Sequence, residues 1–87
     1  MIIKLKGTQA AAPTGSGTAT NLSKATCVRL FNDGTSNRTV TLVQSDGTDI
    51  GSFNMAANTT EYLEKDPTDQ IFAGSADVKL TSVTLKG

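Results

Sequence analysis

The sequence predicts an all-β fold, an antiparallel β-sandwich or small barrel of about seven strands, Ig-like or jelly-roll-like in kind. Three observations point there. Ser45-Asp46-Gly47-Thr48 separates two runs that alternate apolar and polar residues, Thr39-Val40-Thr41-Leu42-Val43 and Ile50-Gly51-Ser52-Phe53. A two-residue turn with positive φ at both central positions favours Asp-Gly, and its twist suits the strands on either side. Thr is abundant and aromatics are few, which suits half-exposed pleated strands because Thr is stiff at χ1 and packs well on a sheet. Turn signals recur about every eight to twelve residues, the spacing of a sandwich or small barrel.

Each element follows from local pattern. Ile2–Lys6 alternates, with Ile3 and Leu5 on one face, and reads as the first strand. Residues 7–21 are rich in Gly, Ser, Thr and Ala, and Pro13 with Gly15-Ser16-Gly17 argues against a helix. That segment is a long loop, an extended strap, or an arm that orders on a neighbour. Ala25–Asn32 alternates again, Thr26, Val28 and Leu30 pointing inward and Cys27 and Phe31 outward. Asn32-Asp33-Gly34-Thr35-Ser36-Asn37 is a turn cluster in which Gly34 supplies a left-handed conformation. Arg38–Ser45 and Thr48–Met55 form the hairpin. Thr59–Lys65 is a strand with Tyr62 and Leu63 on opposite faces, and Asp66-Pro67-Thr68-Asp69 is a turn with φ preset at Pro67. Gln70–Ala73 is a short strand. Asp77–Lys86 is the last; Val78 and Leu80 are in phase, while Val83 and Leu85 are one step out. That slip implies a bulge near Thr81-Ser82, or a strand covered on both faces at its end.

Eighty-seven residues make a single β domain over 1–87, with 7–21 as its loop or arm. A chain this short has a small core, and such cores are commonly supplemented by subunit contacts, so the expected state is a homo-oligomer. The apolar fraction is 37% and the aromatics are Phe31, Phe53, Tyr62 and Phe72. Those four read as core and interface more readily than as a sugar-binding platform.

Formal net charge is zero but unevenly spread. Residues 1–43 carry five cations against one anion (+4); residues 44–87 carry three cations against seven anions (−4). Interleaving of strands from both halves explains this more simply than a dipolar subunit does. No basic cluster accompanies the aromatics, so nucleic acid is disfavoured as a partner. No run approaches the ~20 apolar residues of a membrane helix, and Met1-Ile2-Ile3-Lys4-Leu5 is too short for a signal peptide's apolar region. The triplets at Asn21, Asn37 and Asn58 then read as turn and strand-edge residues, not glycan sites.

No motif assigns catalytic, cofactor-binding or metal residues. Cys27 is the one cysteine, there is no His, and the run around Cys27 reads as a place for a small buried hydrophobe in a reducing cytoplasm. Gly15-Ser16-Gly17 lacks the strand, third Gly and helix of a phosphate loop, so it reads as a flexible connection and no cofactor is expected. Asp46 with Asp49, and Asp66 with Asp69, place carboxylates three apart on turns where calcium could bind. Neither pair supplies enough ligands alone, and Asp serves turns by hydrogen-bonding backbone, so no metal is expected either. A small-molecule ligand is disfavoured.

Four stretches resemble small proteins encoded by marine tailed bacteriophages, notably those infecting cyanobacteria. They are Ile3-Lys4-Leu5-Lys6-Gly7, the run from Cys27 to Thr35, the hairpin from Val40 to Phe53, and the strand-turn-strand from Glu61 to Ala73. The resemblance implies a virion-associated or uncharacterised phage-encoded β protein assembled in the host cytoplasm, decorating or cementing the head or serving elsewhere in the virion; with no base and nucleophile brought together by any motif, the expected role is non-enzymatic. Its partners would be itself and another virion protein. Ile2–Lys6 and residues 7–21 are the segments best suited to add to a neighbour's sheet. A carbohydrate- or host-surface-binding module, and an intracellular effector that binds a host protein, are the alternatives. A docked 7–21 segment would weaken the arm argument.

Overall fold

The computed structural model describes residues 2–86, with Ile2, Ser16, Leu85 and Lys86 described by backbone alone. It is an antiparallel β-sandwich of eight strands, β1 (Ile2–Leu5), β2 (Ala10–Ala11), β3 (Cys27–Asn32), β4 (Arg38–Val43), β5 (Asp49–Met55), β6 (Thr60–Glu64), β7 (Gln70–Ala73) and β8 (Val78–Lys86). One sheet has the order β1-β8-β3-β6, with β2 on the same edge of β8 as β1; the other has the order β5-β4-β7. The seven expected strands are all present. The eighth, β2, is two alanines long and carries no periodicity to read.

The hairpin pairs β4 with β5 as expected, but its turn differs. Gly47 N–H donates to Gln44 C=O (2.9 Å), Gln44 N–H donates to Thr48 C=O (2.8 Å), and only Gly47 has positive φ (+92°). This is a three-residue loop, a tight turn followed by one left-handed glycine, in place of a two-residue turn with two left-handed positions. The register then slips between Leu42 and Val43, leaving Ile50 as the extra residue, 48% exposed. Gly34 likewise does not have positive φ. A glycine sits there because a Cβ would run into the Asp77 carboxylate.

Among the described residues, β4–β5 is the one pair of sequence-adjacent strands that hydrogen-bond to each other; β3 to β4, β5 to β6, β6 to β7 and β7 to β8 each cross between sheets. Strands from both halves of the chain therefore alternate, β8 between β1 and β3, and β4 between β5 and β7. Two ion pairs join the halves, Arg38 with Asp77 (3.0 Å) and Lys79 with Asp33 (3.7 Å), while Lys4 and Lys6 stay along the β1 edge and Glu61 and Glu64 along the β6 edge.

Residues 7–21 are a strap on their own domain. β2 pairs with β8 of one sheet, Ala12 N–H donates to Val78 C=O, and Pro13 C=O accepts from Ala73 N–H of the other sheet. Thr20 and Ile71 then exchange two backbone bonds (3.1 and 2.8 Å). The strap closes the sandwich on one side and places Ala12 in the core.

The core is aliphatic: Val28, Leu30, Val40, Met55, Ile71, Val78 and Leu80 are almost wholly buried. None of the four aromatics joins that fully buried set. Phe53 packs against it from outside, Phe31 and Phe72 are half-buried, and Tyr62 is exposed. Phe31 lies on the outer face of its sheet, with the Arg29 guanidinium 5.7 Å from its ring centre. The slip in β8 resolves as coverage on both faces. The β3–β8 ladder is regular from Val78 to Ser82, and Thr81 and Val83 are buried although they face away from Val78 and Leu80. The irregularity sits on the opposite edge, where five steps from Leu5 to Ala10 face three from Val83 to Leu80. The side chain of Leu85 lies outside the described residues.

Candidate functional site

The candidate site is a groove of about 560 Å³ on the outer face of the five-stranded sheet, where β6 leaves the sandwich. Cys27 on β3 and Glu64 on β6 stand directly opposite each other in its floor, Tyr62 is two pairs further along on the same face, and Lys65, Asp66 and Pro67 form the wall. Alternation along β6 puts Tyr62 and Glu64 on this face and sends Leu63 to the core.

Lys65 shares the face of Leu63, and its burial follows from that phase. It is 6% exposed, and its ammonium donates to Asn21 C=O (3.0 Å) and Asp66 C=O (3.3 Å). Burial holds its pKa below the ordinary lysine value; the carboxylates of Asp69 and Asp66 offset part of that. The carbonyl it caps belongs to an unusual turn. Leu22, Ser23 and Lys24 all have left-handed φ (54°, 57° and 62°), closed by Ala25 N–H onto Asn21 C=O and by Lys24 N–H onto Asn21 Oδ1. Non-glycine residues in this region cost about 1–2 kcal/mol each.

Cys27 is buried, and its thiol pKa is raised, first by burial and then by the facing Glu64, with a backbone hydrogen bond at Val28 opposing. A thiol held protonated in this way is a poor nucleophile, so its place in the groove is that of an apolar floor.

The turn carboxylates serve their own backbones. Asp46 Oδ1 accepts Thr48 N–H (2.9 Å), and that bond, with the Thr48 hydroxyl, holds its pKa below the usual carboxylate value. Asp69 N–H donates to Asp66 C=O (3.0 Å), while Asp69 Oδ2 accepts Asp66 N–H (3.3 Å). Among the described residues, no three His, Cys, Asp or Glu side chains gather where they could hold one metal ion. Gly15-Ser16-Gly17 falls at a single 3₁₀ turn, Ser16–Thr18, within the strap. The groove thus gathers Cys27 and Tyr62 from the sequence candidates, with Asp66, and leaves Phe31, Phe53, Phe72, Asp46 and Asp49 outside. Among the described residues, no helix is long and apolar enough to cross a membrane.

A scan against protein-family models matched none, and searches of curated proteins and of solved structures returned no match.

Proposed function

We propose that this protein is a non-enzymatic structural component of a phage particle, a head decoration or cement protein or another virion part, acting through contacts with itself and with a shell protein. The phage assignment comes from the sequence resemblance. The observation that supports an assembling role is the state of the five-stranded sheet. Both of its outer strands have open hydrogen-bonding edges, and large apolar side chains stand exposed there: Leu5 at 67%, Ile3 at 37% and Tyr62 at 37%. Open, partly apolar edges are sites for strand addition by a neighbour. With the 7–21 segment tied to its own domain, these edges take over the role an arm would have had.

Mass spectrometry of purified particles tests this reading. A fixed copy number per particle supports it, and a chain abundant in infected cells yet missing from particles removes it. The groove supports a second reading, a carbohydrate- or host-surface-binding module, because Tyr62 stands exposed beside the carboxylates of Glu64 and Asp66. Glycan binding that is lost in Tyr62→Ala would favour that module; no binding with or without calcium would discard it.

A further inference from the structure

We infer that copies of this chain associate head to tail, the β1 edge of one copy adding to the β6 edge of the next and extending the five-stranded sheet. This rests on the reading of the chain as an assembling protein and names the surface and the partner.

Direction is the first requirement. Each neighbouring pair along β1-β8-β3-β6 is antiparallel, so β1 and β6 run in opposite senses. A second copy in the same orientation, set beside β6, presents its β1 antiparallel to it. Free backbone groups are the second. Lys6 N–H donates to Ser82 C=O, so alternation turns the N–H and C=O of Ile3 and Leu5 outward. Lys65 N–H donates to Thr26 C=O and Asn32 N–H to Thr59 C=O, so Thr60, Tyr62 and Glu64 are the outward residues of β6. Leu5 opposite Tyr62 lets two outward-facing residues exchange both bonds.

The side chains agree with that register. Leu5 stands opposite Val83, and Tyr62 stands on the same outer face through its partner Arg29 and Arg29's partner Thr81. Joining the edges covers the exposed Leu5 with the exposed Tyr62 on one face. On the other face Lys6 comes opposite Glu61, and Lys4 lies diagonal to it with its stem along Leu63. Charge also selects the mode. Two β1 edges would set Lys4 and Lys6 against their copies, and two β6 edges would oppose Glu61 and Glu64, whereas β1 on β6 brings opposite signs together. Such an unlike pairing leaves one free edge of each kind, so it propagates into a ring or an open row.

Sedimentation of the full chain with charge-swapped variants tests this. For the unaltered chain the average mass rises with concentration beyond a dimer and falls when salt is raised to about 0.5 M. Lys4→Glu/Lys6→Glu and Glu61→Lys/Glu64→Lys each associate at least tenfold more weakly alone. Their equimolar mixture regains association, because the acidic β1 of one meets the basic β6 of the other. Leu5→Pro removes an outward N–H that makes no bond among the described residues, so it folds and does not associate. An unaltered chain monomeric up to about 1 mM, swapped variants that associate as well as the unaltered chain, or folded variants whose mixture stays monomeric would each overturn the inference. A monomer in solution that is nonetheless found in particles would sink edge pairing alone; self-association with absence from particles would sink the virion reading alone.

Discussion

Two buried polar side chains hold opposite ends of β3, and they do so by different means. At the C-terminal end Asn32 is wholly buried and neutral. Its Nδ2 donates to Ser36 C=O (3.0 Å) and Met55 C=O (3.1 Å), and its Oδ1 accepts Gly34 N–H (3.1 Å). Its backbone adds bonds to Thr59 C=O and from Asn58 N–H, the latter residue left-handed at φ 60°. One amide thus ties together the loops that carry the chain from β3 to β4 and from β5 to β6. At the N-terminal end Lys65 buries a charge over carbonyls, and among the described residues no carboxylate accepts from it. The contrast teaches that the Asn32 end is fastened by a neutral amide with its bonds made, while the Lys65 end stores strain and a buried ammonium beside the candidate groove.

The largest effect should come from breaking the settled end. Asn32→Ala takes one donor each from the Met55 and Ser36 carbonyls and frees the Gly34 amide, so it should remove about 3 kcal/mol. That is a large share of the ~5–10 kcal/mol expected of a domain this size. Urea unfolding measures it. Asn32→Asp, of nearly the same shape, should be at least as damaging because its carboxylate faces two carbonyls. A loss under about 1 kcal/mol for both would show that the loops hold without the amide.

The same end offers a steric test of slightly smaller size. Gly34→Ala should cost about 1–3 kcal/mol, because its methyl group meets the Asp77 carboxylate that pairs with Arg38. In an Asp77→Ala background most of that cost should vanish. A double-mutant cycle reads the coupling, and additive effects would mean that something other than Asp77 excludes the side chain.

Much of this contrast could be read from the sequence and some could not. The alternation that placed Val28 and Leu30 inward also puts Asn32 on the core face, and the phase of Leu63 puts Lys65 there. The signal for both was present; what phase does not say is whether a buried polar group finds partners, since those come from loops distant in sequence. The hairpin was legible because its strands are neighbours in the chain. Its turn type was not, because Asp-Gly suits both a two-residue loop and the three-residue loop with Gly47 alone left-handed. The crossings between sheets have no local signature, and neither has β2. The left-handed run at Leu22-Ser23-Lys24 contains no glycine and is imposed by its surroundings: Leu22 packs on the core and Lys65 grips Asn21 C=O.

That imposed turn predicts a stabilising substitution at the less settled end. Ser23 is exposed, and among the described residues no hydrogen bond from its side chain accompanies the strained backbone. Ser23→Gly removes the Cβ clash of the left-handed region at some cost in unfolded-chain freedom, for a net gain of about 0.5–1 kcal/mol. Ser23→Ala should give none. Equal stabilities for the two would show that the turn carries no strain at this position.

The smallest effect is a slope, and it belongs to Lys65. Burial depresses its pKa in the folded state below the ~10.5 expected when unfolded. Between those two values the unfolded chain binds more protons than the folded one, so this residue makes stability rise with pH. Its contribution is complete above the unfolded value and is lost as pH falls through the folded one. Cys27 acts in the opposite sense, since its raised thiol pKa gives stability that is present below about 9 and lost as pH climbs through its folded value. The two slopes oppose each other in alkali, so the whole chain can look flat while both act. Lys65→Met removes the rising part and should leave a falling curve; Cys27→Ala removes the falling part and should leave a rising one. Urea unfolding of each variant from pH 8 to 10.5 separates them. If Lys65→Met tracks the unaltered chain over that range, the ammonium is solvated, and the turn at residues 22–24 is held by the packing of Leu22 alone.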